Sequence, residues 1–203
     1  MNNAITAIEP GTTKLVVLIG RRNQDGILEL SGLGNIRYEG VQRDGWQSEE
    51  MLSCSLNEAF GQAQKMAGYR VSHCTLGIPN EFCGLIRCKK EISTGHQVTK
   101  QDVMELRRMV STYSLPSPWK VSNVVYGSFQ VDGSSIGNPL GMACDHLGLE
   151  ASLICIQNDF AQQLTRILSS MKIEVDRTVP VPLACGNVFL TRGEKQNGAV
   201  WID

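Results

Sequence analysis

No apolar run in this 203-residue chain approaches the length a helix needs to cross a bilayer. Its first residues, Met1-Asn2-Asn3-Ala4, lack the basic and long apolar segments of a secretory leader, so the expectation is a cytoplasmic protein. An excess of charge is lacking too. The 19 Lys and Arg stand against 20 Asp and Glu, which leaves no basic footprint for nucleic acid. Cysteine chemistry is equally thin. The 7 cysteines are odd in number, scattered and never spaced C-x-x-C, which argues against a disulfide framework and a zinc ribbon. Cys74, Cys155 and Cys185 stand in apolar surroundings and read as packing residues. Nothing near Cys144 and His146 completes a metal-ligand set or a nucleophile–base pair. His73 and His96 have no visible partner and read as structural or exposed. What remains, at 42% hydrophobic residues, is material for one good core, or for one domain with a smaller lobe.

The informative stretch is near the start. Ala4 to Ile8 and Leu15 to Ile19 are β-favouring, and Pro10-Gly11 marks a tight turn between them. Two hydroxyls and a cation, Thr12, Thr13 and Lys14, follow. A glycine turn beside hydroxyls and an ammonium can hold a phosphate, since backbone N–H, hydroxyl and cation all stabilise negative charge. An ordinary polar hairpin tip has the same composition.

Along the chain, strands near 4–8, 14–20 and 27–36 form an antiparallel meander with Asp25-Gly26 as a hairpin turn. Gly32-Leu33-Gly34 lacks the third glycine and the helix of a dinucleotide fingerprint. Ser48 caps a helix with Leu52, Leu56, Ala59, Phe60, Ala63 and Met66 on one face, ended by Gly68, and a strand spans 71–78. A strand near 83–92 precedes a helix opened by Thr99 and Asp102, which carries Val103, Leu106, Met109 and Val110. After the break at 114–118, a strand over 121–131 alternates Val125, Phe129 and Val131 with polar residues, and 132–142 is a glycine-rich loop. Ala151–Ile156 reads as a strand returning to the first lobe. Asn158 caps a helix with Phe160, Leu164, Ile167, Leu168 and Met171 on one face, and a strand covers 173–179. A short helix opens at Val181-Pro182, and a last strand over 198–202 stops at Asp203.

Taken in order, several stretches resemble the actin-like ATPases, and among them the FtsA family of bacterial cell-division proteins. They are Ile8-Glu9-Pro10-Gly11-Thr12-Thr13-Lys14, Leu18-Ile19-Gly20, Ile27 to Gly34, Gln64-Lys65-Met66-Ala67-Gly68, Val98 to Val103, Asn138-Pro139-Leu140-Gly141-Met142 and Ala199-Val200-Trp201-Ile202-Asp203. The resemblance implies a mixed α/β fold: an actin-like, ribonuclease-H-like nucleotide-binding lobe from residues 1–79 and 151–203, incomplete, with an inserted β-α-β-β subdomain of the SHS2 kind at 80–150. It also implies the N-terminal part of a longer protein, whose second phosphate loop and C-terminal membrane-binding helix lie further on.

By the same resemblance, Glu9, Gly11, Thr12, Thr13, Lys14 and Asp203 would contact ATP or ADP with Mg2+ in the full-length protein, and this piece alone requires no cofactor. Two departures bear on hydrolysis. Glu9 stands where the family has Asp, one methylene too far for strict octahedral Mg2+, and Pro10 removes an N–H. Val181 stands where the family has the Glu that positions the attacking water, and Val cannot polarise water. ATP hydrolysis is therefore expected to be weak or absent, and the protein to act as a scaffold. Its expected partners are division-ring and other division proteins and its own copies, with the membrane met only through the C-terminal part, at the inner face. Residues 80–150 would be the partner surface, with Val121–Val131 a candidate docking edge. Related alternatives are a PilM-type pilus-assembly protein or a microcompartment chaperone-like protein. A sugar-kinase-like phosphotransferase would need a catalytic Asp in a substrate cleft, and Asp132 and Asp145 fall in the insertion instead.

Overall fold

The structure, a computed structural model, describes residues 4–38, 41–42, 45–46 and 48–200. It divides into two compact units, the second spanning Cys83–Asn158 and the first made of the chain on either side of it.

The first unit is built on a five-stranded sheet. Strands β1 (Ala4–Pro10), β2 (Lys14–Arg22) and β3 (Leu28–Arg37) form the expected antiparallel meander. Two-residue strands β4 (Val41–Gln42) and β5 (Gly45–Trp46) pair with each other. Helix α1 (Glu49–Ala67) then crosses to β6 (His73–Ile78), which pairs parallel to β1. Helix α1 starts where Ser48 accepts a hydrogen bond from the Met51 N–H and ends at Gly68, whose N–H donates to the Gln64 carbonyl. Alternation sets the sheet's two faces. Thr6, Ile8 and Pro10 lie opposite Ile19, Val17 and Leu15, and all six are buried on one side. Each fully buried Leu or Ile there contributes about 1.5–3 kcal/mol.

Helix α1 lays Leu52, Leu56, Ala59, Phe60 and Ala63 on that face, while Met66, expected among them, is 61% exposed. Its close approach explains the Gly32-Leu33-Gly34 sequence. A Cβ at Gly34 would lie 1.9 Å from the Ala59 carbonyl oxygen, and one at Gly32 would lie 2.2 Å from that of Ala63. These glycines are a packing requirement.

The chain re-enters this unit in α3 (Asn158–Ser170), where Phe160 stacks on Phe82 with ring centroids 3.7 Å apart. Strand β11 (Glu174–Pro180) then adds parallel to β6, completing the order β11-β6-β1-β2-β3. Helix α4 (Val181–Phe189) follows directly and buries none of its residues, with Val188 76% and Phe189 59% exposed. An unexpected short helix, α5 (Arg192–Asn197), is opened by a Thr191–Glu194 capping box. Residues 198–200 belong to no strand, and the rest of the strand expected there, with Asp203, lies outside the described residues.

The second unit is an antiparallel sheet in the order β7-β10-β8-β9, with one helix on a single face. Its elements are β7 (Cys83–Gln97), α2 (Lys100–Ser111), β8 (Trp119–Val131), β9 (Ser134–Ile136) and β10 (Ala143–Gln157). The capping box at Thr99 and Asp102 forms as expected. Three expectations are corrected. The 132–142 loop contains β9, because Asp132 and Gly133 both take positive φ and close a two-residue hairpin. The 151–156 strand does not return to the first lobe. It is the second half of β10, paired with β7 and β8 throughout. Val125, expected to alternate inward, is 50% exposed. The docking edge proposed at Val121–Val131 is β8, covered along one side by β10 and over Phe129–Val131 by β9.

Candidate functional site

The β1–β2 turn forms one wall of a cleft of about 390 Å³ in the first unit. Glu9, Gly11, Thr12, Thr13 and Lys14 line it, and five of the six sequence candidates therefore meet in one place. The sixth, Asp203, lies outside the described residues. The opposite walls come from the end of β6 with the one-turn helix after it, giving Pro79, Asn80 and Glu81, and from the start of α4, giving Val181, Pro182 and Cys185. The parallel pairing of β1, β6 and β11 brings these segments together, since each leaves the sheet at the same end. Gly77 helps. A Cβ there would lie 3.0 Å from the Ile8 carbonyl oxygen and 3.1 Å from Val181 Cγ2, tight contacts that glycine avoids where α4 starts close to β1.

The turn's own hydrogen bonds decide what it presents. The Gly11 N–H donates to the Lys14 carbonyl at 2.9 Å. The Tyr38 N–H donates to the Thr13 carbonyl at 3.1 Å, and the Tyr38 hydroxyl donates to the Gly11 carbonyl at 2.9 Å. Three carbonyls of the turn are thus engaged by the protein. By contrast, the N–H and hydroxyl groups of Thr12 and Thr13 have no hydrogen-bond partner among the described residues. Donors left over while acceptors are consumed make a place for an anion. Tyr38 is 6% exposed, and burial pushes its phenol far above the usual range, so the hydroxyl stays protonated and donates.

Sequence reasoning missed Tyr38, Asn80 and Glu81. Tyr38 lies 27 residues from Gly11, a contact that no local pattern announces. Among the described residues, Glu81 adds a second carboxylate to a cleft whose one basic side chain is Lys14. Val181 lines the cleft as well, and its side chain is purely aliphatic.

The other candidates make their contacts within the protein. Cys144 is buried, with the Thr94 hydroxyl 3.3 Å from its sulfur. The backbone N–H groups of Asp145 and His146 donate to Asp132 Oδ1 at 3.1 and 2.9 Å, and His146 Nδ1 faces Glu91 at 3.7 Å. His96 lies 3.9 Å from Asp102, and His73 lies 2.9 Å from Asp176. No group of three or more His, Cys, Asp or Glu is placed to hold a metal among the described residues. No described helix is long and apolar enough to cross a membrane.

Comparison with known proteins agrees with this architecture. Residues 85–155 match the family model described as the SHS2 domain inserted in FtsA. The cell division protein FtsA of Escherichia coli K12 is 24% identical over 98% of this chain and 48% of its own length. That of Bacillus subtilis 168 is 25% identical over 100% of this chain and 47% of its own length. The chain therefore spans about half the length of the curated relatives it matches. Among solved structures, the PilM–PilN type IV pilus biogenesis complex superposes with a TM-score of 0.56 at 11% identity, over 90% of this chain and 49% of that one. Residues 85–155 are thus similar to the SHS2 domain inserted in FtsA, the whole chain is similar to about half of FtsA, and its fold is similar to that of the pilus biogenesis complex.

Proposed function

We propose that this FtsA-like, actin-fold chain supplies one side of an ATP site to a cell-division scaffold that hydrolyses nucleotide slowly or not at all. One observation carries the reading: Thr12 and Thr13 keep four donors unused, beside Lys14, in the wall of a cleft. Such a set suits the oxygens of a phosphate. The carboxylates of Glu9 and Glu81 in the same cleft would repel a bare phosphate, and a divalent cation between them reconciles the two. ATP or ADP with Mg2+ is the ligand that satisfies both halves of the lining. When bound, Mg2+ neutralises phosphate charge, and Glu9 is the residue of this chain that would hold it or its waters.

Binding and turnover separate at Val181. Hydrolysis needs a group that orients and polarises the attacking water, and an isopropyl side chain does neither. The nucleotide would then set the state of an assembling protein whose partners are division-ring and other division proteins and its own copies, at the inner face of the cell membrane.

The test is nucleotide binding and phosphate release by the protein in its full natural length. The expected result is saturable binding of Mg·ATP and Mg·ADP with negligible turnover, and turnover gained in the Val181→Glu, Glu9→Asp double variant. Ordinary turnover by the unmodified protein would overturn the scaffold reading. Absence of binding would overturn the nucleotide reading itself.

A further inference from the structure

We infer that Tyr38 is the positioning residue of the β1–β2 phosphate loop, holding it in the one arrangement that offers its N–H groups to a ligand. The inference rests on the nucleotide reading above but adds a residue which that reading does not use. The three residues that join β1 to β2, Gly11 to Thr13, carry carbonyl oxygens as well as N–H groups, and a carbonyl turned into the cleft would disfavour a phosphate. Tyr38 removes that outcome twice. Its backbone N–H engages the Thr13 carbonyl at 3.1 Å and its hydroxyl engages the Gly11 carbonyl at 2.9 Å, one on each side of Thr12. The Gly11 N–H then closes the turn on the Lys14 carbonyl at 2.9 Å. Only the Thr12 and Thr13 donors are left over.

Placement of Tyr38 makes this a clamp that solvent does not compete with. It follows directly on Arg37, which pairs with Lys14 at the end of the β2–β3 ladder, so its backbone is fixed by the sheet. The ring is 6% exposed, so water has little access to the bond with Gly11. The phenol touches no ligand in this arrangement. It acts through Gly11 and Thr13, and its contribution is preorganisation.

Tyr38→Phe tests the inference, since it keeps the ring and deletes the hydroxyl alone. Losing one neutral hydrogen bond lets the loop populate incompetent conformations, and apparent affinity falls by the competent fraction. Mg·ATP and Mg·ADP binding to the full-length protein should weaken about five- to tenfold, the factor one such bond is worth. The melting temperature should stay within about 4 °C of the parent. Hydrogen–deuterium exchange of the Gly11 N–H, measured without nucleotide, should accelerate by a similar factor, a change that simple core loosening would spread over β1 and β2 instead. Unchanged affinity with unchanged Gly11 exchange overturns the inference. So does a variant that unfolds, which would make Tyr38 a core residue. If the parent binds no nucleotide, the nucleotide reading fails separately, and Gly11 exchange in Tyr38→Phe still decides whether Tyr38 holds the loop.

Discussion

The β1–β2 turn of the first unit is built in the opposite way to the turns of the second. In the second unit, polar groups at turns are used up by the protein. Asp132 Oδ1 accepts from two backbone N–H groups of β10, Asn138 Oδ1 accepts from the Leu140 N–H, and Thr99 and Asp102 satisfy each other at the start of α2. The first unit does the same at Asn23, whose side chain accepts from the Asp25 and Ile27 N–H groups. At the β1–β2 turn it does not: the acceptors are engaged and the Thr12 and Thr13 donors are left. Thr12 and Thr13 are exposed, so water takes these donors at no cost to the fold, and an anion in the cleft could replace it. An exception beside four satisfied turns is therefore where ligand chemistry is expected.

The sharpest way to break the first unit is through its closest contact. Gly34→Ala places a methyl 1.9 Å from the Ala59 carbonyl oxygen, so α1 must lift from β3. The expected loss is about 3 kcal/mol or more, read by urea unfolding and by lost amide protection in α1 and β3. In the second unit the corresponding lever is removal of volume. Leu149 lies fully buried at the middle of β10, between Lys90 of β7 and Phe129 of β8. Leu149→Ala should cost about 3 kcal/mol through the cavity it leaves, seen as faster exchange along β7 and β10. If Gly34→Ala costs less than Leu149→Ala, the α1–β3 approach is softer than the backbone contact implies.

The contrast between turns gives the next test. Asp132→Ala removes two hydrogen bonds and places a residue without a side-chain acceptor at φ 45°. A loss of about 2 kcal/mol is expected in chemical denaturation. Thr12→Ala and Thr13→Ala remove groups that bond nothing in the protein, and their stability should stay within about 0.5 kcal/mol of the parent. Comparable losses at all three positions would mean that the first turn is satisfied after all, and the argument for a phosphate there would fall.

How much of this was legible depended on how local the cause was. The strands of the first meander, α1 and α2 followed from alternation, helical spacing and caps at Ser48, Thr99 and Gly68, all decided within a few residues. Strand β10 was half missed because Asp145, His146, Gly148 and Glu150 interrupt the apolar run. They are tolerated because Asp132 holds the bulge and because Gly148 sits against the Gln130 side chain, with its Cβ position 3.3 Å from that of Gln130. The Asp132-Gly133 hairpin and the Thr191–Glu194 capping box do carry local signals, the first within the stretch expected to be a loop and the second in a stretch with no expected element. In the site, Gly11 to Lys14 was readable as a turn with phosphate chemistry. Glu81 and Tyr38 were not, because their place is set by sheet pairing between segments far apart in sequence.

The smallest effect expected lies at the edge of the first sheet, where it checks that β11 and β6 are in register. His73 on β6 meets Asp176 on β11 at 2.9 Å, with Glu174 at 3.9 Å. The hydrogen bond to Asp176 and its charge hold the imidazole above its ordinary range. A His raised in the folded state contributes stability that is fully present below the ordinary histidine value and is lost as pH rises through the raised one. The pair is well exposed, so its signature is a titration and not a change in folding that could be detected. By NMR, the His73 ring resonances should titrate above those of an unpaired histidine, and Asp176→Asn should bring the midpoint down towards the ordinary value. A midpoint already ordinary in the parent would mean that the carboxylate and imidazole do not meet in solution. The pairing of Glu174 with His73, the first rung of the β11–β6 ladder, would then have to be drawn differently.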